Sequence, residues 1–256
     1  MMDSYNFRPE RSREMTTSMP AEKKSAAETS TRGPEPSEGL EKLINSEVYK
    51  DNICFWERAW GGVKTAYTQM PELPYLPLIP ETLDERGAKK VLDLGCGSGW
   101  LSVFLARHGF VVTGIDISQH AINLGRAWAQ KEDLTIDFQA MDIANLVYDE
   151  GGFEAIVANS IFEHFPLEAT RHIFKLLKTV LKPGGTLITC FDEVGMGAGE
   201  YFKLEDDTHV YTDKARKGML LRNYSDSELK ELYTNWTIDS ITPLESGSRF
   251  IVATNK

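Results

Sequence analysis

The sequence predicts an α/β fold: a three-layer sandwich built on an open, mostly parallel sheet with helices on both faces. Two observations carry that prediction. Between residues 88 and 191, short β-branched and aliphatic runs alternate repeatedly with helical patterns, as βαβ units require. The first run, "VLDLGCGSGW" (Val91–Trp100), passes directly into glycines at 95, 97 and 99. Such a turn brings a strand tightly into a helix and lets another group approach the backbone.

The 256 residues suit one sizeable domain with appendages, and a hydrophobic fraction of 41% supplies its core. Residues 1–39, including "AEKKSAAETSTRGPEPSEG", are Ser/Thr/Glu/Lys/Pro-rich and hold too little apolar surface to offset ordering entropy; they read as a disordered tail. Residues 40–87 read as an N-terminal helical cap. Leu40, Leu43, Ile44, Val48, Phe55 and Trp56 recur at roughly helical intervals, and Gly61-Gly62 ends the helix. Four prolines in residues 71–80 predict an irregular connection.

Within the core, residues 88–191, "KVLDLG" is a strand and "SGWLSVFLARHG" a helix ended by Gly109. "FVVTGID" is a strand, after which Ser118 caps the helix "QHAINLGRAWAQK". "TIDFQ" and "FEAIVAN" are strands. "LEATRHIFKLLKTVL" is an amphipathic helix stopped by Lys182-Pro183-Gly184-Gly185, and "TLITCF" is a strand. In residues 192–256, the acidic, Gly-rich stretch 192–208 reads as a loop or lid, and "HVYT" and "GMLLRNY" as short strands. "SDSELKELYTNW" is a helix with Ser225 and Glu228 in capping-box spacing, and "TIDSITPL" with "SRFIVATN" forms a hairpin.

Composition argues against several classes. A net charge of −10 disfavours a nucleic-acid partner, whose affinity rests on Lys and Arg neutralising phosphates. Cys54, Cys96 and Cys190 are far apart and odd in number, which fits a reducing compartment and offers neither a disulfide framework nor a zinc site. The five histidines lack metal-ligand spacing, and no G-x-S-x-G elbow is present. Without an 18-residue apolar run or a signal h-region, the expectation is a cytoplasmic protein without a membrane span.

In an open parallel sheet, ligands sit at the carboxyl ends of the strands, where strand order reverses. The glycine turn follows the first strand. Asp116 ends the second strand, 21 residues after Gly95, near the spacing at which an acidic side chain takes ribose hydroxyls. Asp142 follows the third, placed to accept from an adenine amine. Three such elements at consecutive strand ends point to a nucleotide-like ligand. The fingerprint of nicotinamide dehydrogenases, G-x-G-x-x-G, is not met, because Trp100 stands at its third glycine.

As a set, "VLDLGCGSGW", "GIDIS", "MDIANL", "FEAIVANSIFEHF" and "LKPGGTLI" resemble the class I S-adenosylmethionine-dependent methyltransferases, most closely the small-molecule group. The resemblance is strong over roughly residues 88–191 and weaker at both flanks. It implies a Rossmann-like, seven-stranded sheet with an antiparallel last strand, S-adenosyl-L-methionine as cofactor and a small-molecule acceptor methylated at O, N or S. The implied cofactor residues are Gly95, Cys96 and Gly97 against the methionine portion, with Asp93 orienting that turn. Asp116 and Ile117 are implied for the ribose and adenine, Asp142 and Ile143 for the adenine, and the Asn159 carbonyl for the amine. A tRNA or protein methyltransferase, or a non-enzymatic cofactor-binding protein, are the alternatives.

Methyl transfer is an in-line displacement that rests mainly on alignment, worth ~7–11 kcal/mol. A general base is needed only where the acceptor must lose a proton early. His164, beside Glu163, and Asp192 are the candidates; packing or turn formation is the alternative for each. His209, Tyr211 and Arg222 are candidates for acceptor binding in the variable C-terminal segment. Trp56 reads as core, whereas for Trp60 both core and a lid over the ligand stay open. Lys214, Arg216, Lys217 and Arg222 form either a solvated basic face or a site for an acidic substrate.

Overall fold

Five strands run parallel through the molecule: β1 (Lys90–Leu94), β2 (Val111–Asp116), β3 (Asp137–Ala140), β4 (Phe153–Asn159) and β5 (Leu181–Phe191). Three short strands, β6 (Tyr201–Lys203), β7 (His209–Tyr211) and β8 (Leu220–Leu221), make a separate antiparallel sheet. A final hairpin of β9 (Trp236–Pro243) and β10 (Arg249–Asn255) completes the main sheet in the order β3-β2-β1-β4-β5-β10-β9. β10 is antiparallel to β5 and to β9. The sheet is therefore seven-stranded and mostly parallel with an antiparallel last strand, as expected. The chain travels outward from β1 to β3 and then returns to place β4 on the other side of β1. That reversal opens a crevice above the carboxyl ends of β1 and β4. This computed structural model describes residues 37–66, 70–195 and 197–256, all within one compact unit.

The helices are α1 (Glu38–Ile44), α2 (Glu47–Gly61), α3 (Leu78–Glu85), α4 (Trp100–Arg107), α5 (Gln119–Lys131), α6 (Leu167–Val180) and α7 (Asp226–Leu232). Strand side chains alternate between two buried layers. Leu92, Leu94, Ile156 and Ala158 join α6 and α7 residues such as Ile173, Leu177 and Leu229. Val91, Ala155 and Val157 join Ile79 and Leu83 of α3 and Leu101 and Leu105 of α4. The two-residue strand period thus sends neighbouring side chains into opposite layers.

Several local expectations hold. Ser118 and Ser225 cap α5 and α7, and both halves of the Ser225–Glu228 capping box are made. Others are corrected. The single helix expected after Leu40 is two helices, because the Ser46 side chain accepts from Tyr49 N and its extended backbone starts a new helix. The proline-rich stretch is not wholly irregular: α3 begins at Leu78 with Pro80 in its first turn, where a missing N–H breaks no helical hydrogen bond. α6 ends at Val180 as expected, but the chain enters β5 at once. Gly184, at φ +74°, lies in the register slip between the Phe153–Leu181 and Ala155–Thr186 pairs. The stretch 192–208 contains β6 rather than loop alone. Ser37–Gly39 open α1 and so do not belong to a tail; residues 1–36, the rest of the expected tail, lie outside the described residues.

Candidate functional site

Beyond β1 the backbone takes left-handed conformations at Gly95 (φ +71°), Gly97 (φ +54°) and Gly99 (φ +87°), where a side chain is disfavoured. A Cβ at Gly99 would lie 2.6 Å from the Phe138 ring and 3.4 Å from Gly125 Cα, so this glycine lets the start of α4 pack against β3 and α5. The first two glycines act differently from the expectation that they clear space for a ligand directly. A Cβ at Gly95 would meet Ile161 Cδ1 at 2.6 Å, and one at Gly97 would meet Trp60 Cζ2 at 2.7 Å. The cleared space is taken by two side chains that themselves form cavity walls.

That cavity holds about 760 Å³ of empty space, counting its open mouth, and it is lined by Gly95, Gly97, Asp116, Ile117, Asp142 and Ile143 among others. The ends of β1, β2 and β3 thus converge on it. Asp116 is 8% exposed. Its Oδ2 accepts from Gly97 N and its Oδ1 from Ser118 N, each at 2.9 Å. Burial pushes its carboxyl above the ordinary range, and the two backbone N–H groups oppose that shift. Asp142 is fixed in a similar way: Oδ1 accepts from Tyr49 Oη and Ala144 N at 2.9 Å, and Oδ2 from Asn145 Nδ2 at 3.1 Å. Two carboxylates are therefore oriented in advance, each followed by an isoleucine that gives the cavity an apolar wall.

α2 roofs the cavity, as the expected helical cap and the lid reading of Trp60 allowed, but the sequence reading did not name Tyr49, Asn52 or Ile53 and placed Trp56 in the core. Tyr49, Asn52, Ile53, Trp56 and Trp60 fall on one stripe of this helix and line the cavity. Their spacing was the available signal. Glu57, on the same helix, accepts from Ser118 Oγ and Gln119 N at 3.0 Å, tying the roof to the start of α5. Asn52 Nδ2 donates to Gly218 O at 3.1 Å. Trp56 is half-buried and is not the core residue expected; its ring packs edge-on against His164 at 4.6 Å. Trp60 lies over the glycine turn, which favours the lid reading over core. Ser160, Ile161 and Phe165 complete the wall after β4 and were also missed.

The remaining expected residues fall into three groups. His164 lines the cavity, and its Nδ1 lies 3.2 Å from Leu220 O, so Nδ1 carries the proton in that contact. Burial holds its pKa below the usual value, so the ring is neutral at pH 7 with a lone pair on Nε2. Asp93, Cys96 and Asn159 are not on this cavity's wall. Asp93 is buried and accepts from Ser102 Oγ at 2.5 Å, tying β1 to α4, and burial raises its pKa to about 7. The Cys96 side chain packs with Ile122, Ala129 and Phe138. Asn159 and Asp192 line a second cavity, which shares Ser160 with the first.

His209, Tyr211 and Arg222 lie in or beside the small sheet and line neither cavity. His209 stacks on Tyr201 at 4.2 Å, and Arg216 lies over the Tyr211 ring at 4.1 Å. Arg222 is 3% exposed and is engaged by Asp206 and Glu228 at 3.0 and 2.5 Å. Two of the four members of the basic cluster are thereby paired, since Arg216 also pairs with Asp213 at 2.9 Å. Among the described residues, no group of three or more His, Cys, Asp or Glu side chains is placed to hold a metal ion.

Residues 91–185 match the family described as "Methyltransferase domain", and the strand order, the left-handed glycine turn and the acidic strand ends agree with that match. Among individual relatives, the chain is similar to the ubiquinone biosynthesis O-methyltransferase of Coxiella burnetii (strain Dugway 5J108-111), 39% identical over 139 residues, or 54% of this chain and 57% of that protein. The chain spans about half the length of the curated relatives it matches. Its fold is similar to that of the PH0226 protein from Pyrococcus horikoshii OT3, with a TM-score of 0.61 at 23% identity, covering 83% of this chain and 93% of that one. It is also similar in fold to the 1,6-didemethyltoxoflavin-N1-methyltransferase of Burkholderia thailandensis, with a TM-score of 0.58 at 16% identity, covering 88% and 93%.

Proposed function

We propose that this chain is an S-adenosyl-L-methionine-dependent methyltransferase acting on O, N or S of a small molecule. The observation that carries the reading is the convergence of Gly95–Gly97, Asp116–Ile117 and Asp142–Ile143 from three consecutive strand ends on one roofed cavity. These residues fit a nucleoside bearing an amino-acid chain. The cofactor supplies an activated methyl group on a positively charged sulfur. Asp116 accepts from the ribose hydroxyls, for which its backbone-held carboxylate retains lone pairs. Asp142 accepts from the adenine amine, and Ile117 and Ile143 pack on the ring. Trp60 and the rest of the α2 stripe exclude water. His164, neutral and lying on the same cavity, takes a proton where the acceptor must lose one.

The relatives' names support this reading: one is an O-methyltransferase of ubiquinone biosynthesis, and one solved neighbour is an N1-methyltransferase with bound S-adenosylhomocysteine. We assign residues 40–87 the part of a cap over the cofactor-binding core at 88–191, with 192–256 on the acceptor side. A cytoplasmic location agrees with the cysteine usage; among the described residues no helix is long and apolar enough to cross a membrane. The test is incubation of the full chain with S-adenosylmethionine and a panel of phenols, amines and thiols. Mass spectrometry is expected to detect S-adenosylhomocysteine together with a methylated product. Cofactor binding without turnover across the panel would favour a non-enzymatic role.

A further inference from the structure

The second cavity opens at the carboxyl ends of β4 and β5 and holds about 1210 Å³ of empty space, counting its mouth. Ser160 is its junction with the first cavity. This residue is held at φ +52°, a costly backbone for a serine, and its N–H donates to Cys190 O at 3.1 Å. A hydrogen-bond relay fixes the side chain: Tyr75 Oη donates to Asn159 Oδ1 at 2.7 Å, and Asn159 Nδ2 donates to Ser160 Oγ at 3.2 Å. Because Oγ accepts from the relay, its own O–H can donate to a ligand.

The charge of this cavity is one-sided. Its lining carries Asp192, Glu193 and Glu245 but no Lys, Arg or His among the described residues. Glu193 is compensated, by Asn223 Nδ2 at 3.0 Å and Arg249 at 3.7 Å. Among the described residues, the Asp192 carboxylate accepts a hydrogen bond only from the Cys190 thiol, at 3.7 Å, and Glu245, which is exposed, has no hydrogen bond or ion pair. Behind Asp192 lies a further carboxyl, Glu163. It is 1% exposed, its Oε1 accepts from Asp192 N, and its Oε2 has no partner. Burial raises the Glu163 pKa to about 8, so this carboxyl is mostly protonated at pH 7 and adds no charge; Leu73, Tyr75 and Leu244 supply apolar walls beside Asp192, which strengthen the field of its carboxylate.

We propose that the cavity beyond Ser160 receives the methyl acceptor and selects a small organic molecule carrying a positively charged amine, rather than one carrying a carboxylate or phosphate. This rests on the methyltransferase reading above. The ammonium group anchors at Asp192 and Glu245. The methylated atom is a second nucleophile on the molecule, since a protonated amine has no lone pair with which to attack. That nucleophile's lone pair forms the new bond to the methyl carbon, the pair of the broken S–CH3 bond stays on sulfur, and any proton released passes to His164 and from there to water.

The test uses the full chain saturated with S-adenosylhomocysteine and titrated calorimetrically with matched probes: phenethylamine against phenylacetate, and tyramine against 4-hydroxyphenylacetate. Each amine is expected to bind at least about tenfold more tightly than its acid counterpart at low ionic strength. Asp192→Asn and Glu245→Gln are each expected to shrink that ratio, with S-adenosylhomocysteine binding reporting that each variant is folded. The proposal is overturned if the acids bind as tightly as the amines, if neither series binds, if the amines displace S-adenosylhomocysteine, or if neither variant changes the ratio. Failure of S-adenosylhomocysteine itself to bind would sink the methyltransferase reading, and this proposal with it.

Discussion

The strand ends on the two sides of the reversal point treat their carboxylates in opposite ways. At β2 and β3, Asp116 and Asp142 are held by backbone N–H groups and neighbouring side chains before any ligand arrives. At β4 and β5, Asp192 meets little but a thiol, and Glu163, held at one oxygen by Asp192 N and mostly protonated at pH 7, keeps the other oxygen without a partner, so the charge left uncompensated there is that of Asp192. Preorganised acceptors suit a ligand that is always the same, because their orientation is settled during folding rather than at binding. Uncompensated charge suits the side where recognition awaits a particular partner. On the reading proposed above, the two regions divide the work between a fixed donor seat and an acceptor seat with a charge preference.

The sharpest way to break this division is at the glycine turn. Gly97→Val places a β-branched residue at φ +54° and drives it into Trp60. Affinity for S-adenosylhomocysteine is expected to fall by about a hundredfold or more, equivalent to ~2.7 kcal/mol; isothermal titration of the purified variant checks it. Next in size is a pH effect led by the β1 and β4–β5 side, to which the raised Asp116 carboxyl adds with the same sign. Burial, with the Asp192 charge nearby, raises the Glu163 pKa to about 8, and burial raises that of Asp93 to about 7. Both are acids raised above their unfolded values, so each contributes stability that is fully present below about pH 4 and lost as pH rises through its folded pKa. Urea unfolding is expected to show higher stability at pH 5 than at pH 8, and Glu163→Gln is expected to narrow that gap.

A smaller effect is expected at the roof. Tyr49→Phe removes the hydroxyl that donates to Asp142 and is expected to weaken S-adenosylhomocysteine binding by roughly fivefold, about 1 kcal/mol. Smallest of all is His209→Ala, at a residue of the small sheet that lines neither cavity, expected to leave that affinity within about twofold. A large loss there would return the small sheet to the ligand site and blur the contrast.

The donor side was legible in the sequence because its signals are local. Glycines at 95 and 97, and the acidic residues at the end of β2 and just after β3, are brought to the crevice by the chain's own alternation. The roof was less legible, since an aromatic stripe on a helix reads the same whether it faces core or cavity; Trp56 shows this. Arg222 misled because Asp206 and Glu228, its ion-pair partners, become neighbours only when the chain folds around β8. Asn159 stands where it was expected along the chain. Its side chain, however, is claimed by Tyr75, 84 residues away, which no local pattern reveals. Cys96 lies in the turn, but its side chain points into the packing between α5 and β3, so turn membership did not imply a place on the wall.

The central claim is that a backbone-fixed carboxylate at the end of β2 holds the cofactor's sugar. Calorimetric titration of S-adenosylhomocysteine into the wild-type chain and into Asp116→Ala, with circular dichroism verifying the fold, tests it most directly. At least tenfold weaker binding by the variant, ~1.4 kcal/mol or more, is predicted; a folded variant that binds as tightly as the wild type would contradict it.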